Sequence, residues 1–388
     1  MGSKPGPAEA ERQAAAPAAR GGILPRQAIA ELIADGEIRG AGDLAELVQP
    51  ASLDLRLGAR AHRLRASFLP GRGRTVAERI EQFSMHEVDL TGGALLEVGC
   101  VYIVPLMERL ALGSQVSGLA NPKSSTGRLN LFTRLIVDGA EQFDVVPAGY
   151  EGPLYAELAP NAFSVLARSG VRLNQLRFRR GRPGVADSAL QRLHREVGLV
   201  GEGGAGAGAE AAQIRKGLVF TVDLGGLGPD RLAGFKAKRH ADVIDLSRIG
   251  HYDPAEFWDP IAASPRGELI LDPNEFYILA SRETVRIPPD YAAEMVPYDT
   301  QIGEFRVHYA GFFDPGFGWD PDKEVGTRAV LEVRSHEVPF LLQDGQPVGR
   351  LEYHRLAATP DRLYGAGIGS HYHAQSLTLS KHFRPWGA

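Results

Sequence analysis

The chain is written mostly in short runs of alternating apolar and polar residues, broken at close intervals by Gly, Pro or Asp. Period-two alternation between turn residues predicts strands with one buried face. The clear exception comes early. Ile29, Leu32 and Ile33 share one face of a 3.6-residue period behind Pro25, expected at a first helical position, and ahead of Gly36, a stop signal; this predicts one short amphipathic helix. Residues 1–22 carry no apolar periodicity and are largely Ala, Gly and Pro, so they are expected to form a disordered leader. A second interruption, GEGGAGAGA, opens a flexible linker placed at 201–213.

That linker lies near the midpoint, and the strands on either side echo one another. SLDLRLG at 52–58 is matched with TVDLGG at 221–226, EVGCVYIVPL with DPNEFYILAS, YAEL with VLEV, and SGVRLNQLRF with DGQPVGRLEY. From Tyr102 and Tyr277 onward the landmarks keep one offset of 175 residues. Two copies of one β fold follow, a first domain at 23–200 and a second at 214–388, each a sandwich or barrel.

Composition narrows the function classes. The 388 residues are 44% hydrophobic and 23% charged, ordinary globular values, and 46 Gly with 26 Pro suit many turns. Lys plus Arg number 43 against 47 Asp plus Glu, for a net charge of -4, which argues against a protein that wraps nucleic acid by bulk charge. Cys100 is the single cysteine, so neither an intrachain disulfide nor a Cys-rich zinc site can form. The sequence shows no apolar span for a membrane or signal peptide, and a cytoplasmic location is the expectation.

The two copies differ most in two segments, and the differences are complementary. Copy one has NPKSSTGRLNL, which gathers Lys123, Ser124, Ser125 and Arg128 in a loop suited to a polyphosphate, with hydroxyls and turn amides as donors and cations to offset charge. The plainer alternative is a polar turn with solvated cations; the loop is not a P-loop, because Gly-Lys-Ser/Thr is missing. Copy two has YDTQIGE there. It has instead the aromatic hairpin VHYAGFFDPGFGWD, able to stack a base, and Glu332 in the strand AVLEV. If Glu332 faces a cleft, partial desolvation raises its pKa and suits it to moving protons; if it faces solvent, it is an ordinary surface charge. Copy one keeps Glu157 but lacks Asp-Pro-Gly. His371 and His373 have no evident third metal ligand, RFRRGR at 177–182 reads as a solvated strand end, and the Cys pair of zinc nucleobase deaminases is missing.

In this order the motifs resemble the dCTP deaminase and dUTPase family of trimeric β folds. PRQAIAELIADGEI with QPASLDLRLG resembles the start of dCTP deaminases, and PKSSTGRLNL resembles their Arg-Ser-Ser-x-x-Arg-Leu-Gly-Leu segment, with Lys123 in place of Arg and Asn130 in place of Gly. VHYAGFFDPGF resembles the base hairpin, AVLEV the catalytic strand and SHYHAQ the C-terminal tail. The resemblance implies two tandem dUTPase-like (β-clip) domains, composite sites built from unlike copies, and hydrolysis of dCTP to dUTP and ammonia without a protein-bound cofactor. It implies Glu332 as proton acceptor, Ser124 and the Ala310 carbonyl holding the water, and Arg128 orienting the site. Lys123, Ser125 and Gln175 would take the triphosphate with its Mg2+, Tyr309 and Asp314 would contact the nucleotide from the hairpin, and Tyr372 and Gln375 would close from the tail. A homo-oligomer and a dTTP feedback ligand are further expectations. A dUTP diphosphatase or bifunctional enzyme, in which Asp314 serves a water near the α-phosphate, and an inactive nucleotide-binding regulator are the alternatives.

Overall fold

Strand pairing repeats itself between the two halves of the chain. In the first half one sheet runs Ser84–Asp89, Arg60–Leu64, Val101–Ala111, Glu151–Pro160, Leu131–Val137, with Ile38–Arg39 added to Val101–Ala111. In the second half the order is Trp258–Ala262, Leu232–Ala237, Phe276–Val285, Thr327–Ser335, Phe305–His308, with Val200–Gly201 added to Phe276–Val285. A second sheet pairs Arg172–Arg180 with Leu53–Arg56 and Val116–Pro122, and its counterpart pairs Pro347–Arg355 with Leu218–Thr221 and Tyr291–Pro297. This is the computed structural model of the protein, describing residues 21–201, 212–297, 305–308, 311–321, 326–335, 337–365 and 377–387.

The fold is mainly β, and the 175-residue offset survives in its registers. Tyr102 lies opposite Leu158 and Tyr277 opposite Val333; the Tyr102 hydroxyl accepts from the Glu97 amide at 3.2 Å and the Tyr277 hydroxyl from the Asp272 amide at 2.9 Å. One expected match is out of register. Leu53 pairs with Leu176 and Leu218 with Leu351, so the counterpart of LDLR is LVFT at 218–221, and TVDLGG shares an Asp-Leu pair with SLDLRLG without sharing its place. Asp54, opposite Gln175, therefore corresponds to Val219, opposite Arg350.

The first helix runs Arg26–Ala34 and buries Ile29 and Leu32, with Pro25 at the N-cap rather than inside the first turn, and Gly36 takes φ 72° beyond its end. Two more helices form where strands were expected. Val76–Phe83 starts from a reciprocal capping box between Thr75 and Glu78, and Asp187–Val197 fully buries Leu190 alone among its residues. Gly201, assigned to the linker, belongs to a strand: it pairs with Thr284. Residues 202–211 lie outside the described residues.

The halves share a core. Phe163 of the first packs edge-on against Phe257 and Trp258 of the second, with ring centroids 5.7 and 5.3 Å away, and Phe383 from the C-terminal stretch joins them at 6.5 Å. Ile244–Asp245 also pairs in parallel with Val165–Ala167. These contacts carry the last residues of the chain back onto the first half.

Candidate active site

The serine loop is a single helical turn, Ser124–Gly127, entered from Lys123 in extended conformation. Thr126 Oγ1 donates to the Leu173 carbonyl at 2.8 Å, tying the turn to the neighbouring strand, while Ser124 stays exposed and Ser125 is buried. Asn130 takes φ 51° just after the turn. This left-handed conformation suits Gly and is tolerated by Asn, which explains physically why asparagine can stand where glycine was expected. The C-terminal stretch braces the turn from outside: Ser380 Oγ donates to the Ser125 carbonyl at 2.7 Å and sits 2.9 Å from His382 Nδ1.

Beside the loop lies a cavity of about 380 Å3 whose walls include Lys123, Ser125, Asp54, Arg172, Lys381 and His382. Lys123 Nζ meets Asp54 Oδ1 at 2.5 Å, and Arg172 approaches the same carboxylate at 3.8 Å. Three cations around one buried carboxylate leave a local positive excess in a chain whose net charge is negative. Burial, with Lys123 close by, pulls Lys381 below the usual lysine range. Gln175 does not line this cavity; it is buried, and its Oε1 accepts from Ser52 Oγ at 3.3 Å. Asp54, Arg172 and Lys381 were not picked out in the sequence, because each stands alone in its segment and only folding brings them together.

Glu332 faces inward. It is 7% exposed, on the interior strand Thr327–Ser335 of the second half, and its carboxyl group lies directly against Gly127 of the serine turn. A β-carbon at position 127 would fall 2.6 Å from Glu332 Oε1 and 2.7 Å from its carboxyl carbon, so this approach requires glycine. The serine turn and the glutamate therefore meet within one chain. Desolvation pushes Glu332 up to about 8, opposed by the nearby Arg128 guanidinium. Arg128 is itself buried and anchored, with Nη1 donating to the Thr378 carbonyl at 2.8 Å.

Glu157 holds the matching position in the first half but a different environment. Arg134, its cross-strand neighbour, pairs with it through Nε at 3.1 Å and Nη2 at 2.5 Å and lies over the Phe143 ring at 3.5 Å. In the second half the register position opposite Glu332 belongs to His308.

The segment expected to form a hairpin is held from the other half, but its two short strands join different sheets, Phe305–His308 pairing with Thr327–Ser335 and Phe312–Phe313 with Tyr291–Pro297. Arg177 is 1% exposed, and its guanidinium donates to the Ala293 carbonyl at 3.0 Å, to the Phe313 carbonyl at 3.4 Å and to Asp314 Oδ1 at 3.0 Å, while lying 3.9 Å from the centre of the Phe312 ring. The basic run beginning at Arg177 is therefore not simply a solvated strand end: residues 177 and 178 are buried, and only its last two, Gly181 and Arg182, are exposed. Alternation concealed this, because both neighbours, Leu176 and Phe178, are also fully buried. Burial pushes Asp314 up, while the Arg177 charge pulls it down. Nearby, Asn121 Nδ2 donates to Glu294 Oε1 at 3.3 Å, a further polar bond between the halves.

Tyr309, Ala310, Tyr372 and Gln375, with His371 and His373, lie outside the described residues. Among the described residues no group of three or more His, Cys, Asp or Glu could hold a metal ion, and no helix is long and apolar enough to cross a membrane.

Comparison with known proteins matches both halves. Residues 20–182 match the family model of the 2'-deoxycytidine 5'-triphosphate deaminase N-terminal domain, and residues 186–383 match that of its C-terminal domain. A crystal structure of 2'-deoxycytidine 5'-triphosphate deaminase from Agrobacterium tumefaciens superposes with a TM-score of 0.82 at 51% identity, covering 88% of this chain and 99% of that one. Proteins named "dCTP deaminase, dUMP-forming" from Beutenbergia cavernae and a Mycobacterium species are 30% identical over 144 residues and 31% over 140, spanning 35% and 34% of this chain and 71% and 70% of theirs. With family models matching on both sides of residue 184 and a solved deaminase alike over most of the length, the chain belongs to the dCTP deaminase family of enzymes.

Proposed function

We propose that the chain deaminates dCTP to dUTP and ammonia at one composite site, with the serine turn supplied by the first half and Glu332 and the hairpin by the second. The observation that carries this reading is the buried Glu332 carboxyl against Gly127, held near a neutral pKa of about 8. A carboxyl group so poised can take a proton and give it back within one turnover. Water attacks C4 of the cytosine ring as Glu332 accepts its proton. Glu332 hands that proton to ring N3, which has taken up the C4–N3 electron pair; as the tetrahedral adduct collapses, Glu332 takes the proton of the new hydroxyl and passes it to the amino group, the C4–N4 bond breaks, and ammonia leaves as the C4 carbonyl forms. Ser124 and the Ala310 carbonyl hold the water, and Arg128 offsets the charge that develops. Lys123 and Ser125 hold a triphosphate carrying its own Mg2+, while Tyr309 and Asp314 contact the nucleotide and Tyr372 and Gln375 close over it.

The same reading takes the two halves as tandem dUTPase-like (β-clip) domains in a cytoplasmic homo-oligomer with dTTP as a feedback ligand. The names of the dUMP-forming relatives favour one second reading, in which the chain also releases pyrophosphate. One incubation separates them. Purified protein with dCTP and Mg2+ is expected to release ammonia and accumulate dUTP without pyrophosphate; equimolar pyrophosphate and dUMP would establish the second reading, and no ammonia would refute both.

A further inference from the structure

The duplication supplies its own control for deciding which residues serve the site and which serve the fold. A residue that the β fold itself needs is expected at both places; one that the site needs is expected at one. Arg177 and Asp314 pass that test together. Arg177 lies opposite Leu119, and its counterpart 175 residues on, opposite Glu294, is Glu352. The charge is reversed there, and Glu352 pairs with Arg350 of its own strand at 3.5 Å. Phe312 and Phe313 pair with Glu294 and Ala293; their counterparts Val145 and Val146 pair with Leu119 and Gly118. The residue following is Asp314 in one copy and Pro147 in the other. Two positions on, both segments keep a glycine with positive φ, Gly149 at 73° and Gly316 at 93°. The turn geometry is thus common to both copies, while the ion pair is present in one and both its members are replaced in the other.

We propose that Arg177, donated by the first half, is a positioning residue that holds the Asp314 carboxylate and the hairpin backbone of the second half ready for the nucleotide. This rests on reading Asp314 as a substrate contact. The guanidinium engages Asp314 Oδ1 and two main-chain carbonyls, Ala293 and Phe313, so carboxylate and hairpin are fixed by one rigid planar group. Asp314 Oδ2 takes no hydrogen bond among the described residues, and the side chain is 11% exposed. One oxygen is therefore anchored while the other is left to accept a hydrogen bond from a hydroxyl or amine of the nucleotide. An arginine that only stabilised the fold would have no reason to leave that acceptor open, nor to vanish from the second copy together with its partner.

The test uses the full chain and measures dCTP affinity by calorimetry beside steady-state ammonia release. Arg177→Met is expected to weaken dCTP binding and raise KM by about 10- to 100-fold, the ratio for one hydrogen bond to a charged group, with kcat at saturation changed far less. Arg177→Lys restores part of the affinity. A single truncation of a buried ion pair can unfold a protein, whereas apolar replacement of both members is commonly tolerated. Arg177→Met/Asp314→Leu is therefore the second variant: it is expected to melt like the wild type and to bind dCTP no more weakly than Asp314→Leu alone. A folded double variant with wild-type affinity and KM would overturn the proposal, as would a loss confined to kcat, the signature of fewer correctly folded molecules. Failure of the glutamate mechanism reads out separately, as turnover retained in Glu332→Gln with dCTP affinity unchanged.

Discussion

Replacing Glu332 by glutamine should make the protein more stable and nearly inactive at once. The carboxyl group is pushed from an ordinary value of 4.5 to about 8 by burial. An acid whose folded value is raised binds its proton more tightly in the folded chain, so stability is undisturbed below about pH 4.5, falls as pH rises from there, and levels off above about pH 8. Each pH step in that window costs about 1.4 kcal/mol, which at pH 7 gives an upper limit of about 3 kcal/mol. Glutamine keeps the shape and removes the ionisation, so Glu332→Gln should raise the thermal midpoint by several degrees at about pH 8 and by little at about pH 5. Activity should move the other way. Loss of a positioned acid–base group lowers kcat by about 100- to 10,000-fold, while dCTP still binds. In the wild type, kcat/KM should climb with pH towards about 8, as more of the free enzyme carries the ionised carboxylate able to accept a proton. Differential scanning calorimetry of both proteins from about pH 5 to 8, paired with ammonia release, checks both halves. Parallel melting profiles would refute the burial argument, and wild-type turnover in the variant would refute the assignment of the proton acceptor.

Two further outcomes follow from the same contacts. Gly127→Ala places a methyl group against the Glu332 carboxyl, within 2.6 Å of Oε1. Because the carboxyl must move, kcat should fall by about tenfold to a hundredfold, read by ammonia release, with a smaller effect on dCTP affinity by calorimetry; unchanged turnover would show that this approach is not used. Glu157→Gln should leave dCTP turnover within about twofold, because Glu157 is engaged by Arg134, while urea unfolding reports a loss of about 1 to 3 kcal/mol from the broken charge-assisted bonds. A large loss of turnover would mean that the first half carries a working site of its own.

Much of the architecture was legible because each strand carries its signal locally. Tyr102 and Tyr277 sit on strands of the same sheet order, and both hydroxyls accept from an amide five residues upstream, so their spacing reported a real equivalence. The Asp-Leu echo misled for the opposite reason. Identical letters were matched, whereas the sheet matches partners: Leu53 to Leu176 and Leu218 to Leu351. Arg177 was out of reach because the strand bearing it is covered on both sides, which removes the alternation that separates inside from outside. The helix Asp187–Val197 was missed because its apolar stripe is short, with Leu190 buried and Leu193 and Val197 only packed beside the core.

The sequence could report that the serine loop survives in one half and the Asp-Pro-Gly hairpin in the other, but not that they meet. That depends on contacts whose residues look ordinary one at a time. Phe163, Phe257, Trp258 and Phe383 are unremarked aromatics in four separate segments, yet together they lock the halves and bring the C-terminal stretch back across the serine turn. From there Ser380 reaches the Ser125 carbonyl and Thr378 receives Arg128, while Gly127 leaves room for Glu332. Each half alone would hold an incomplete set of groups: a cationic loop without the hairpin's aspartate, or a buried glutamate without the loop's serines and arginine. A duplicated fold with complementary losses can work as one site only if its halves cannot drift apart, and the shared aromatic core and the Arg177 clamp both supply that constraint.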